Sequence, residues 1–459
     1  MDDEANVVEE RARVGEVADV EQPPREAAQP TGSENNRNTI KGLADEQPSS
    51  EPDTLEVEER PRTAAETEEE SNEAVDVVTE TKPQPEREGV GAKRIRYAVV
   101  GLGYISQVAV LPGFAHAKEN SELVALVSGD DEKLKTLKKK YKVPHVYSYE
   151  QYADCLQSGD VDAVYIALPN SMHRHYAQTA ARAGVNVLCE KPMAMTEHEC
   201  EEMIEAARHG NVKLMIAYRL HFERGNLSAI QTIREDKIGD PRIFNSVFCQ
   251  QVTPGNTRLQ SELGGGPIYD VGVYCINAAR YLFGAEPYEA FAFSARARDV
   301  QDDRFREVPE MTAGILRFPD ERLAQFVCSF GAADRSEYEV VGTKGVLRMN
   351  PAYEMAGDLK SEIAVDGKTH KSTYKKRDQF GPELAYFSQC ILENREPEPN
   401  GLEGLADVRI INALLESANR GKPMEIKPIE AKERPTVGQG MHKPAVEKPP
   451  LVKAQTPSQ

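Results

Sequence analysis

Ile95-Arg96-Tyr97-Ala98-Val99-Val100-Gly101-Leu102-Gly103-Tyr104-Ile105-Ser106 is a short apolar, β-rich run that breaks at two glycines spaced by one residue. Helix-forming residues continue to about 117, with Pro112 a candidate break. The reading is strand, tight turn, helix. Backbone N–H groups at such a helix start gather around an anion, so G-x-G-x-x-G at this place points to the pyrophosphate of a dinucleotide. Ser106 stands for the third glycine and is small enough to allow close helix-strand packing. The hexapeptide alone is weak; its position between strand and helix gives it weight.

The same rhythm runs on from this point. Apolar strands are expected at 123–127, 161–168, 185–189 and 213–218, with helices at 132–141, 175–183 and 197–209. Near-continuous apolar strands alternating with helices predict a parallel, doubly wound sheet, a Rossmann domain over 91–218. Beyond 219 the pattern turns to longer polar-apolar alternation at 243–251, 290–297, 313–318, 323–330, 338–342 and 346–349. Helical stretches at 226–236, 267–282, 383–393 and 404–419 interrupt it. The expectation is an α/β chain whose second, α+β domain (219–426) carries one large, mostly antiparallel open sheet. Helices on one face would leave the other to a second subunit, in a homodimer or homotetramer.

The flanks differ in composition. Of 459 residues, 1–90 carry 26 acidic and 9 basic side chains and 427–459 carry 3 and 6, so most of the formal charge of −19 lies in the first segment. Residues 1–90 have no aromatic residue or apolar period and are expected to be a disordered acidic tail. Residues 427–459 hold six prolines among lysines and read as a disordered, extended arm. On this reading residues 91–426 fold and retain activity alone. The charge balance argues against a nucleic-acid partner. No apolar window reaches membrane-spanning length, and acids at Asp2, Asp3 and Glu4 oppose a signal peptide, so a cytoplasmic location is expected. Seven scattered cysteines without C-x-x-C spacing read as free buried thiols, and no metal site is called for.

Three further places carry chemistry. The second strand ends Val127-Ser128-Gly129-Asp130-Asp131-Glu132-Lys133. A small polar residue with a nearby cation suits a ribose 2′-phosphate, so Ser128 and Lys133 favour NADP over NAD; Asp130 and Asp131 come too late for the usual ribose acid and fit the first turn of the next helix. Glu190-Lys191-Pro192 puts a lysine at the carboxyl edge of the sheet, beside a proline that fixes the turn. Gly264-Gly265-Gly266-Pro267 then opens a helix from which Asp270 and Tyr274, four residues apart, share one face. A capping acid and a core aromatic would give the same pair of residues.

Taken together these motifs resemble the Gfo/Idh/MocA oxidoreductase family over about 94–425. Ala98-Val99-Val100-Gly101-Leu102-Gly103, Leu168-Pro169-Asn170-Ser171-Met172-His173, Glu190-Lys191-Pro192, Gly264-Gly265-Gly266 and Asp270-x-Gly272-x-Tyr274 occur in family order. Tyr274, where many members carry His, is similar to the branch of glucose-fructose oxidoreductase and the dihydrodiol and xylose dehydrogenases. The resemblance implies NADP-dependent hydride transfer to or from a sugar or related cyclic polyol. It implies Tyr274 as general acid/base, Lys191 as its electrostatic partner and substrate ligand, and Asp270 as an orienting carboxylate. Gly101, Gly103, Tyr104, Ile105, Ser128, Lys133, Leu168, Asn170, His173, Glu190 and Lys191 are then expected around the cofactor. Tyr218, Arg219 and His221 are expected to leave the last Rossmann strand toward substrate. The competing reading is a non-catalytic nucleotide sensor whose acidic tail binds a partner.

Overall fold

The computed structural model describes residues 93–296, 302–429 and 434–458. The expected disorder of 1–90 falls outside them. The first domain alternates β1 (Ile95–Val100), a π-helical turn (Ser106–Val110) with α1 (Leu111–Gly113), β2 (Ser121–Val127), α2 (Asp131–Tyr141), β3 (His145–Tyr147), α3 (Tyr152–Gln157), β4 (Ala163–Ile166), α4 (His173–Arg182), β5 (Asn186–Glu190), α5 (Glu197–His209) and β6 (Leu214–Ala217). All pairings are parallel, in the order β3-β2-β1-β4-β5-β6. This is the Rossmann arrangement, with the order reversing between β1 and β4, where ligands sit in open α/β sheets. Every residue of β4 is buried, as a strand covered on both faces requires.

The second domain contributes α6 (Arg224–Arg234), β7 (Pro241–Cys249), α7 (Val273–Phe283), β8 (Glu289–Ala295), β9 (Met311–Phe318), β10 (Arg322–Ser329), β11 (Arg335–Gly342), β12 (Gly345–Met349), β13 (Leu359–Val365), β14 (Lys368–Tyr374), α8 (Phe380–Leu392), α9 (Gly401–Arg420) and β15 (Met424–Glu425). Among the described residues its nine strands run β14-β13-β12-β11-β7-β10-β9-β8-β15, antiparallel except for β7 and β10. One face packs on helices: Phe244, Leu316, Phe318, Ala324 and Phe326 share a core cluster with Ile276, Ile410 and Leu414. On the other, Ile243, Ile315, Leu323, Val327 and Phe293 are exposed. All seven cysteines are free and buried.

The arm expected to be disordered departs from that reading. Residues 434–458 lie along the body of the protein. Gln439 donates to the Glu398 carbonyl (3.0 Å) and carboxylate (2.6 Å), and Asp378 N donates to the Pro444 carbonyl (3.3 Å). Met441, Leu451 and Val452 pack against the Rossmann core. Sparse apolar side chains cannot make a core, but a proline-rich chain loses little entropy on docking, and backbone bonds to a preformed surface hold it.

Candidate active site

β1 delivers the chain to Gly101, whose φ of +91° suits glycine; a Cβ there would lie 2.4 Å from the Ala167 carbonyl oxygen. At Gly103 a Cβ would meet nothing within 4 Å, so the turn presents bare backbone to open space. Ser106 closes the turn by donating to the Gly101 carbonyl (2.6 Å), a bond a third glycine could not make. In front lies a cavity of about 290 Å³ lined by Gly101, Gly103, Tyr104, Ile105, Ser128, Lys133, Leu168 and Asn170, with the Gly264–Gly266 run opposite. The Asn170 side-chain amide donates to the Gly264 carbonyl (2.8 Å), tying the two domains across it.

Ser128 stands at the end of β2. Asp130 turns away onto its own helix, as cap of α2, accepting from Glu132 N and Lys133 N, both at 3.0 Å. The strand end therefore offers a hydroxyl and a lysine to the cavity. The donor set fits a dinucleotide: bare backbone for the pyrophosphate, and a hydroxyl with a cation at the ribose end.

An adjoining cavity of about 310 Å³ is lined by Glu190, Lys191, Arg219, Gln250, Arg258, Asp270, Tyr274 and Tyr353. Lys191 is joined to Pro192 by a cis peptide. Its ammonium donates to the Asp270 carbonyl (2.8 Å) and carboxylate (3.2 Å) and lies 4.6 Å from the centroid of the Tyr274 ring. Asp270 occupies a π-helical turn, Ile268–Gly272, ahead of α7. Its other carboxylate oxygen accepts from Arg258 Nε (2.6 Å) and Gln250 Nε2 (3.2 Å). The Tyr274 hydroxyl accepts from Arg219 Nε (3.1 Å), whose remaining nitrogens are spent on Gln379 Oε1 and the Tyr353 carbonyl, both at 2.6 Å.

Electrostatics follow from these pairings. Burial pushes Asp270 up, but Arg258 and Lys191 outweigh it, so its carboxyl titrates well below the ordinary range. Burial pulls Lys191 down, yet Tyr274, Asp270 and Glu190 overcome it and the ammonium is held above its usual value. Glu190 goes the other way, raised chiefly by burial, and accepts from the Tyr165 hydroxyl (2.9 Å). The cleft thus holds two cations, Lys191 and Arg219, against one phenol, beside a carboxylate, Asp270, that Arg258 and Lys191 hold in place.

Three expected residues lie elsewhere. His173, the first residue of α4, is fully buried and spans the Pro192 and Leu168 carbonyls, both at 2.9 Å, bracing the two loops behind the cleft. His221 bonds Glu398 (3.0 Å) and Asn277 (2.8 Å). Tyr218 stacks on it, ring centroids 5.4 Å apart. Both side chains point into the interior because the chain forms a 3₁₀ turn, Arg219–Phe222, directly after β6, so only Arg219 reaches the phenol. Arg258 and Gln250 carry no local signature; their roles depend on two loops meeting at Asp270.

Comparison with known proteins agrees with this architecture. Residues 95–218 match the family model described as "Oxidoreductase family, NAD-binding Rossmann fold", and 227–348 match the GFO/IDH/MocA C-terminal domain. The chain belongs to the GFO/IDH/MocA oxidoreductase family, and its relatives are enzymes. It is 33% identical over 332 residues to D-xylose 1-dehydrogenase [NADP(+)] of Haloarcula marismortui, covering 71% of this chain and 91% of that one. It is 26% identical to trans-1,2-dihydrobenzene-1,2-diol dehydrogenase of Xenopus laevis, over 69% of this chain and 92% of that one. Among solved structures it resembles aldose-aldose oxidoreductase from Caulobacter crescentus complexed with glycerol, at 38% identity and TM-score 0.69, covering 73% of this chain and all of the other.

Proposed function

We propose that this protein is an NADP-dependent dehydrogenase acting on the CH–OH group of a monosaccharide, with the anomeric centre of an aldose as its preferred site. The observation that carries the reading is Tyr274, with its hydroxyl bonded to Arg219 and its ring under Lys191, beside a glycine turn open for a dinucleotide. The relatives named for D-xylose with NADP(+) and for aldose-aldose oxidoreduction support the substrate class. Gly101, Gly103, Tyr104, Ile105, Leu168 and Asn170 hold the cofactor, and Ser128 with Lys133 receives the 2′-phosphate. Bound there, a nicotinamide supplies the hydride acceptor.

The chain's own side chains do the rest. Tyr274 takes the proton of the substrate hydroxyl as the C–H bond is broken. Free tyrosine, with a pKa of about 10, is a poor base because only its phenolate can accept a proton, so the phenolate that takes the substrate proton needs compensating positive charge beside it. Arg219 supplies it by hydrogen bond, and Lys191 from the ring side. Asp270, clamped by Arg258, fixes the lysine, which leaves the ammonium able to meet a sugar hydroxyl at the cavity wall.

The test is a panel of aldopentoses, aldohexoses and trans-dihydrodiols incubated with NADP or NAD, with reduced nucleotide read by absorbance. Turnover of aldoses with NADP is expected. Tight NADP binding without turnover on any member would replace this reading with that of a nucleotide sensor.

A further inference from the structure

The segment 434–458 does more than lie on the surface. It begins at a buried ionic network in the second domain, where Arg280 of α7 joins Glu286, Glu403 and Asp407 and Arg434 adds a second cation to Glu286. Gln439 then docks on Glu398. From there the chain crosses onto the Rossmann domain. Lys448 lies 5.5 Å from the centroid of the Tyr104 ring, on the glycine turn itself. Val452 exchanges two hydrogen bonds with the side-chain amide of Gln107, N–H to Oε1 at 2.8 Å and Nε2 to its carbonyl at 2.9 Å. Gln107 sits one residue after Ser106, is 1% exposed and also donates to the Leu102 carbonyl (3.0 Å) inside the turn. Lys453 pairs with Glu132 (2.9 Å) and approaches Asp130 (3.6 Å) at the end of β2. The segment then returns to the second domain: Thr253 N donates to the Pro457 carbonyl (3.1 Å), and Ser458 bridges Val252. Pro457 and Ser458 form part of the wall of the cavity that holds Lys191 and Tyr274.

We propose that residues 447–458 are a working part of the active site, a strap that steadies the glycine turn through Gln107 and walls the substrate cavity with Pro457 and Ser458, limiting it to single sugar rings. The inference rests on the dehydrogenase reading for its substrate. The carboxamide of Gln107 is the key. A buried amide needs partners for its donors and acceptor, and here the strap's backbone supplies two of the three bonds while the glycine turn supplies the other. The strap is therefore mated to the element that carries the pyrophosphate site. Lys453 pairs with Glu132 and lies close to Asp130 at the start of α2, so the strap also holds the segment that carries Ser128 and Lys133. The cavity walled by Pro457 and Ser458, about 310 Å³, is at the lower edge of small-molecule sites, which span roughly 300–1,000 Å³. Pro457 and Ser458 are held against Thr253 and Val252 in the loop after β7, so removing them takes away one wall of that cavity.

The experiment compares the full chain with a variant ending at Val446, which keeps Arg434 and Gln439 and so the anchor in the second domain. NADPH is displaced by excess NADP, and its fluorescence gives the dissociation rate. Removal of the strap is expected to raise that rate about tenfold or more, the scale of losing a few hydrogen bonds and ion pairs. Turnover of xylobiose relative to xylose is expected to rise at least about fivefold, since about 1 kcal/mol of exclusion corresponds to that factor. Gln107→Leu in the full chain, which keeps the bulk of the side chain and removes its bonds to Val452, should raise the dissociation rate in the same direction. Unchanged dissociation together with an unchanged xylobiose to xylose ratio in the shortened chain would overturn the proposal. If the full chain binds no NADPH, the dehydrogenase reading falls, and hydrogen exchange of residues 104–110 judges the strap: faster exchange on shortening upholds its hold on the turn, equal exchange refutes it.

Discussion

Tyr274 is where the two explanations of the site divide. As a base it loses its one exchangeable atom in Tyr274→Phe while the ring keeps its edge-on contact with Phe248, centroids 5.5 Å apart. The expected result is a drop in kcat of roughly 10²–10⁴-fold with NADP affinity and folding nearly unchanged. A core aromatic would show the reverse, a small stability change and ordinary turnover. Lys191→Met should be comparably damaging in kcat, because the phenol loses the cation that lies over its ring. Asp270 makes a separate claim about pH. Its carboxyl titrates below the ordinary value in the fold, so its stabilising contribution is complete above about pH 4 and is lost as pH falls through the depressed folded value. Asp270→Asn should be less stable than wild type at neutral pH, and denaturant midpoints of the two should converge in acid. Of these residues, Tyr274, Asp270 and Lys191 were legible because each sits in a motif with fixed spacing. Arg258 was not, since its carboxylate partner is twelve residues away and reached only after the loop folds back. His173 shows the converse: its motif marks it, but its helix-start position buries it behind the cleft.

The elements around the glycine-turn cavity read well from sequence because their signals are local. The glycine turn, the lone hydroxyl at the end of β2 and the capping role of Asp130 each follow from a few adjacent residues. They support a sharp comparison. Lys133→Ala should weaken NADP more than NAD by roughly 1–3 kcal/mol, the range of a charge-assisted bond to a partly desolvated phosphate, measured by titrating both nucleotides. Equal losses would remove Lys133 from 2′ recognition. The less legible elements fail for identifiable reasons. β13 and β14 form a hairpin across Asp366-Gly367, both at positive φ, a turn dipeptide whose flanking strands show no apolar alternation. Their strands are polar: all but the last residue of β14 are exposed, so no apolar period marks them. The helix at 267–282 was expected to be continuous, whereas its first turn is π-helical and carries Asp270. A widened turn of that kind offsets side chains from the i, i+4 ladder and is common at functional sites, and nothing in Ile268-Tyr269-Asp270-Val271-Gly272 announces it.

For the whole molecule, the division into a parallel and an antiparallel domain was visible because hydrophobic period changes near residue 219, while the strap was invisible because its few apolar residues gain meaning only against a surface already folded. The same reasoning governs the open face of the nine-stranded sheet. Alternation places one set of side chains on the helices and the other outward, and the outward set on β7 to β10 includes Ile243, Leu323, Val327, Ile315 and Phe293, from 38% to 64% exposed. Strand order puts these residues side by side, β7 next to β10, then β9, then β8. Large contiguous apolar patches are uncommon on monomers, and a twofold axis through a sheet face makes the patch its own partner. A homodimer is the expected outcome, seen as twice the chain mass in light scattering at micromolar concentration. Leu323→Glu would set like charges against each other across such an axis and should give a monomer. NADP affinity should stay close to wild type in that monomer, because Leu323 belongs to neither of the two cavities of the active site. A wild-type monomer at micromolar concentration would show that the face serves some other contact.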